Sequence, residues 1–498
     1  MTDDQLIGFC LFGLCLLALA IHQKRRRGRL DHRLFHWTKQ DPFTVRDLLN
    51  GGVCVIGRVG SGKTSSSGTM LAQAIVNYRN SGGLICAAKP GEDLKLWRKI
   101  FARAGRSKDL LVFEPNGKLR FNFLAEAMRQ GGSTREITKC ITTIGETLRS
   151  SGRQGRSGDG EFWEREQERM IYNAVQVVKL ARGTVTAPEL QEFITTAAAN
   201  ATQLSDEAWR SGFHCRAMEA AFHAQKSNFD AHDLQLAQDY WLGEIPTMAD
   251  RTKSSILVGV LGVLHTFNTG MVRELVSTTT NVSPEQMLRR KWILVNMPPA
   301  VYGDAGSFIN AGWKYLAQKE ILRREARHSD PINVIWCDEA AQFCNSMDQH
   351  YVSQCRSHLG CLIYLCQSLH SFHATLKGED GKQQAQALLA NFGHRVFHAL
   401  GDIETAEWAS GLIGARLETF MGGSMQPSQG IYDDLMGNSQ YSGTFSSQYA
   451  PILQTTEFLS GLRTGGRKAG YMCDGIVIRS GEPFSNGENW LRMAFMQR

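Results

Sequence analysis

The sequence predicts an α/β chain in which a core of alternating strands and helices is interrupted by an all-helical insert and preceded by one apolar helix. Three observations carry that reading. Short β-rich runs alternate with helical ones, a glycine-rich loop stands between such a run and a helix, and a central block shows helical spacing with few strand signals. The 498 residues supply ample material for a buried core. With Pro at 12, Gly at 49 and nothing repetitive, collagen and bulk disorder are excluded. Twelve scattered cysteines without a CxxC pair exclude a disulfide scaffold and read as reduced residues in a chain whose bulk is cytosolic. A net charge of +7 permits an anionic partner without naming one.

The apolar helix comes first. Leu6–Ile21 holds no charge, and the uncharged stretch between Asp4 and Lys24 spans about 28 Å as a helix, close to the hydrocarbon thickness of a bilayer. Basic residues follow it (KRRRGR, Lys24–Arg29) and Asp3 and Asp4 precede it. Positive charge stays on the cytoplasmic side, so the expected topology is a single pass through the inner membrane with the bulk of the chain inside. A signal peptide would carry its basic residues before the apolar run.

Gly57-Arg58-Val59-Gly60-Ser61-Gly62-Lys63-Thr64 fits GxxxxGK[ST] in full, after the β-rich Val53–Ile56 and before the helical Ser65–Tyr78. Glycines let backbone N–H groups approach phosphate, and the helix start adds partial positive charge. The expected nucleotide-binding set is Gly57, Gly60, Ser61, Gly62, Lys63, Thr64 and Ser65. Lys63 is assigned to the β/γ-phosphates of ATP and Thr64 to Mg²⁺. Val334–Cys337 then Asp338-Glu339 supplies the complementary carboxylates: Asp338 for the Mg²⁺ shell, Glu339 as general base for the attacking water. The adjacent acidic pair argues for motor-type ATPases with an added central strand rather than small GTPases or nucleotide kinases. Lys63 and Asp338 are 275 positions apart, so something is inserted between them.

The expected order is a membrane anchor with its basic segment over 1–30, a nucleotide-binding domain over 31–128 and 246–498, and an all-α insert over 129–245. Strands are expected at 83–88, 110–113, 292–295, 333–337, 361–366 and 395–400, with a helix over 93–104. Arg149–Gly160 reads as a basic loop, and the Gly-, Ser- and Gln-rich 421–450 as one long loop. Trp163, Trp209 and Trp241 in the insert suit core packing better than base stacking. The pairs His370/His373 and His394/His398 lack the further ligands that zinc requires.

The ordered motifs resemble the conjugative coupling proteins of type IV secretion systems, the TraG/TraD-like ATPases. The likeness covers most of the chain beyond residue 50. It rests on the phosphate loop, LICAAKPGED, Phe113-Glu114-Pro115 with Arg120–Leu124, Phe162-Trp163, Arg251–Leu264, Gln354–Ser357, Cys366-Gln367-Ser368 and the closing segments 453–462 and 476–484. The resemblance implies a RecA-like P-loop core, Gln367 as γ-phosphate sensor, Arg356 as an arginine finger reaching a neighbouring subunit, and a homo-hexameric ring. It also implies ATP-driven transfer of relaxase-bound DNA, single- or double-stranded, from the relaxosome into the channel proteins. Lys89 fits either a nucleotide or DNA contact or a solvated turn. Two rivals are an FtsK-like translocase or channel-assembly ATPase, and an ATP-switched receptor for secreted proteins. Three departures stand out. One membrane helix is visible where the family commonly has two, Ala87 and Ala88 stand where an acidic residue often precedes the lysine, and no acidic tail is seen.

Overall fold

The computed structural model describes residues 29–150, 159–376, 381–425 and 441–497. The expected anchor, Leu6–Ile21, lies outside them. Among the described residues no single helix is long and apolar enough to cross a membrane. The chain forms two compact units, one of Met1–Cys54, Gly68–Cys366 and His370–His394, the other of Val55–Ser67, Gln367–Leu369 and Arg395–Arg498.

The first unit opens with the antiparallel pair β1 (Arg33–His36) and β2 (Pro42–Thr44), followed by β3 (Val53–Ile56), midway along which the chain enters the second unit. Its core is five strands in the order β8-β7-β4-β6-β5: β4 (Ser81–Cys86), β5 (Leu110–Phe113), β6 (Trp292–Val295), β7 (Ile332–Cys337) and β8 (Gly360–Cys366). Every neighbouring pair in that set is parallel. β4, β6, β7 and β8 are buried along their whole length, as continuous apolar runs in a covered parallel sheet should be.

Period-two alternation divides the side chains between two faces. On one, Trp97 of helix Glu92–Arg103 lies 6.1 Å from Trp292 and 5.2 Å, edge-on, from Trp336. On the other, Trp313 of helix Pro299–Arg323 lies 5.2 Å from Phe113. Between β5 and β6 every regular element of the described residues is helical, including the long helices Thr134–Ser150, Asp159–Arg182 and Asp250–Asn268. Trp241 is fully buried against Phe193 and His214, which makes it core rather than a base-stacking platform. Of the basic run Arg149–Gly160, residues 151–158 lie outside the described residues and the ends belong to the flanking helices.

The second unit holds β9 (His394–Phe397) after its first residue, an antiparallel pair β10 (Ala415–Met425) and β11 (Tyr441–Pro451), and the antiparallel β12 (Met472–Arg479) and β13 (Trp490–Met496). The β10–β11 pair corrects the expected loop over 421–450. Leu417 faces Tyr449 and Met421 faces Phe445 across the ladder. The apolar members of this alternation are spaced among Gly, Ser and Thr and remain exposed, so composition hides the strand period.

Under β7 and β8 lies a fully buried ion pair. Lys314 Nζ donates to Asp348 Oδ2 and to the Tyr364 hydroxyl, 2.6 and 2.7 Å away, while Gln318 donates to Asp348 Oδ1. Burial alone would depress the Lys314 ammonium, but Asp348 outweighs it and holds it above its ordinary value. Removing one partner strands the other charge. Lys314→Met should therefore cost about 3–5 kcal/mol in denaturant unfolding, and Lys314→Met combined with Asp348→Leu should recover most of that loss.

Candidate nucleotide site

The phosphate loop belongs to the second unit. β3 delivers it from a fully buried strand, and the Arg58 N–H donates to the Ala399 carbonyl, 2.9 Å, fixing its base beside the end of β9. Gly60 and Gly62 have φ of +76° and +86°, which side chains with a Cβ rarely adopt. A Cβ on Gly57 would stand 2.5 Å from Ser61 Oγ, and one on Gly62 2.3 Å from Cys473 Sγ; over Gly60 the space is open to 4 Å. The Ser61 hydroxyl is buried without a hydrogen-bond partner. The glycines, an orphaned hydroxyl inside the loop and a nearly buried Lys63 together fit a phosphate group.

The expected helix after the loop opens as a wide π turn over Thr64–Gly68 before the α-helix Thr69–Asn77. Three side chains from far along the chain brace this turn. His398 Nδ1 is 2.8 Å from the Asp474 carbonyl and must donate to it, so Nε2 accepts from the Ser67 hydroxyl at 2.7 Å. Burial, with Lys63 nearby adding to it, pushes the His398 imidazole down to about 4, so the ring is neutral. Gln497 Nε2 donates to Ser65 Oγ, 3.2 Å, and Cys473 packs beneath Gly62. No spacing pattern in the sequence signals these roles, and His398, set aside above as a zinc ligand, serves the loop instead.

The acidic pair stands in the first unit at the end of β7. Cys86 of β4 pairs with Cys337, so the residues after both strands emerge side by side. Lys89 Nζ thereby donates to Asp338 Oδ2 at 2.7 Å, and Asp338 Oδ1 accepts the Glu339 N–H at 2.9 Å. Asp338 is nearly buried, and Glu339 holds a left-handed φ of +50°, a strained backbone of the kind that clusters at functional sites. Burial would lower the Lys89 ammonium, but Asp338 keeps it raised. Lys89 is thus a partner of the acidic pair and not a solvated turn residue.

Asp93, which sequence reading passed over, fixes the turn: its Oδ2 accepts the N–H groups of Ala88 and Lys89, both at 2.8 Å. Burial first, then the charge of Asp338, lifts its carboxyl to about 6.

Arg356 is exposed in a short helical turn, with Nη1 3.2 Å from Asn50 Oδ1. Gln367 follows β8, part-buried, and belongs to the second unit with the phosphate loop; Arg356, Asp338 and Glu339 belong to the first.

Residues 333–460 match the family model described as the TraM recognition site of TraD and TraG. Over that segment, about a quarter of its length, the chain resembles TraD and TraG. Among solved structures, the conjugative coupling protein TrwB lacking its N-terminal segment, unbound, aligns with a TM-score of 0.58 at 16% identity, covering 95% of this chain and 92% of that one. TrwB with a non-hydrolysable ATP analogue gives 0.55 at 15%, and TrwB with ADP and Mg²⁺ 0.54 at 15%, each over 95% of this chain and 92% of that chain. At such identity the likeness establishes the fold: a mixed α/β architecture with a parallel-rich sheet suited to a P-loop core. No curated protein matches the chain by sequence.

Because Asp93 is raised above its ordinary 3.8, the folded chain holds that proton more tightly than the unfolded one. The stability this confers is complete below about 4 and is lost as pH rises through about 6, a change on the order of 3 kcal/mol. Urea unfolding across pH 4–7 should show the parent chain losing stability relative to Asp93→Asn over that window, with the difference level above it.

Proposed function

We propose that the chain is a membrane-anchored, Mg²⁺-dependent ATPase that couples relaxase-bound DNA to a type IV secretion channel. The observation that carries the ATPase reading is the phosphate loop, with its buried, unpartnered Ser61 hydroxyl between two positive-φ glycines. The TraG/TraD-type segment and the TrwB fold support the coupling role. TrwB has been crystallised with ADP and Mg²⁺.

Lys63 and the loop N–H groups would bind the phosphates, and Thr64 and Asp338 would hold the metal. Bound Mg·ATP supplies the phosphoanhydride whose cleavage drives the motor. Glu339 accepts the proton of the attacking water at its carboxylate, and Gln367 orients that water. Arg356, exposed and without a carboxylate partner among the described residues, suits an arginine finger lent to the next subunit of a hexamer. The match of 333–460 to the TraM recognition site of TraD and TraG supports docking of a relaxosome protein on this chain, which also suits the receptor reading.

ATP hydrolysis by the full chain should rise with single-stranded DNA, and that stimulation should fall steeply with added salt. Lys63→Ala should abolish nucleotide binding. Glu339→Gln should bind ATP yet turn over about 10²–10⁴-fold more slowly. Turnover that survives Lys63→Ala rejects the site, and turnover indifferent to DNA rejects the motor in favour of the receptor.

Arg356→Ala should lower turnover about 10³-fold or more. Mixing it with Lys63→Ala, which keeps its own finger, should restore activity, because the intact loop of one meets the intact arginine of the other. No restoration would place Arg356 outside the trans role.

A further inference from the structure

A cavity of about 700 Å³ lies in the first unit. The parallel register locates it. Ser81 stands opposite Ile332, and Trp292 opposite both Gly83 and Leu110, so the residues preceding these strands, Asn80, Asp109 and Arg290, meet at one rim. Lys89 and Asp338 follow the other ends of β4 and β7, about 20 Å away along six-residue strands.

The floor of the cavity is Arg106, a buried and fully engaged guanidinium. It donates to the carbonyls of Val76, Ser81 and Arg290 and pairs with Asp109 at 2.9 Å, which cancels the acidic residue lining the cavity. Three exposed cations remain around it. Arg29 gives one N–H to the Ser329 carbonyl, and Arg290 gives its Nε–H to Asn80. Arg79 makes no hydrogen bond among the described residues. None of the three has a carboxylate partner among the described residues. Three guanidinium groups lining one cavity, whose acid Asp109 is already paired with Arg106 and Lys291, form a phosphate-binding arrangement, since each presents several N–H donors in a planar fork.

The sequence supplies the source of the phosphate. Arg29 ends the basic run that follows the apolar Leu6–Ile21, and the eight residues from Ile21 to Arg29 span at most about 29 Å. The cavity is therefore tethered within reach of the cytoplasmic membrane surface. We propose that it takes the headgroup phosphate of an anionic phospholipid, held by Arg29, Arg79 and Arg290, and so turns the amino-terminal edge of the strands toward the bilayer. This rests on the membrane-anchored reading above.

The test is hydrogen–deuterium exchange of the full chain in nanodiscs of phosphatidylcholine alone or mixed with phosphatidylglycerol. Amides of 77–81 and 289–292 should exchange severalfold more slowly in the mixed discs. Arg79→Gln with Arg290→Gln should lose most of that protection, and Arg79→Lys with Arg290→Lys should keep only part of it, because charge attraction to anionic lipid survives while the planar fork is lost. Equal exchange in the two lipids overturns the proposal. So does equal protection by inorganic phosphate in phosphatidylcholine discs, which would make the cavity a site for free anions. An alkaline carbonate wash separates the two failures: a chain retained in membranes with unchanged exchange fails only at the cavity, whereas a released chain loses anchor and cavity together.

Discussion

A carboxylate buried at the end of a parallel strand must have a cation beside it, and in the first unit that requirement organises everything around Asp338. Desolvating a lone carboxylate would drive it to protonate. Here Lys89 meets it at 2.7 Å, and Asp93 in turn pins the Lys89 backbone with two N–H···O bonds. Two carboxyl groups and one ammonium leave the cluster net negative when all are charged, and Asp93 absorbs the strain by its raised affinity for a proton. In the function proposed above, an arriving divalent ion would ease that surplus.

What the sequence disclosed was local. GxxxxGK[ST] and the Asp-Glu pair are readable because their chemistry needs fixed residues at fixed spacing, and the runs Leu110–Phe113 and Trp292–Val295 are strands with the predicted limits because each is a short, wholly apolar run bounded by polar residues. What it concealed was long-range. His398 and Gln497 reach the phosphate loop from more than 300 positions away, and no spacing rule connects them to Ser67 or Ser65. Lys89 could be assigned only once the β4–β7 register was known. The β10–β11 pair escaped because neither of its faces is buried enough to impose an alternating pattern.

An identity of 16% alongside an alignment over 95% of the chain shows how loosely a fold constrains its sequence. Side chains that brace a loop need only fill space and satisfy hydrogen bonds, which many residue combinations achieve. Neutral His398 is one such solution: deeply buried, it meets a carbonyl with one nitrogen and a hydroxyl with the other, so no charge is left in the core.

The helical stretch between β5 and β6 has a consequence for biosynthesis. β4 is buried throughout, and both of its partners in this sheet, β6 and β7, lie beyond residue 290. At about 5–20 residues per second the ribosome takes about 10–35 s to pass from the end of β5 to the start of β6. During that interval β4 and β5 wait without their neighbours, and the loop to be closed is long. Helices that fold early draw the two ends together and shorten that loop. A nascent chain stalled within them would present unpaired strand edges, the surface that holdase chaperones bind and that seeds inclusion bodies.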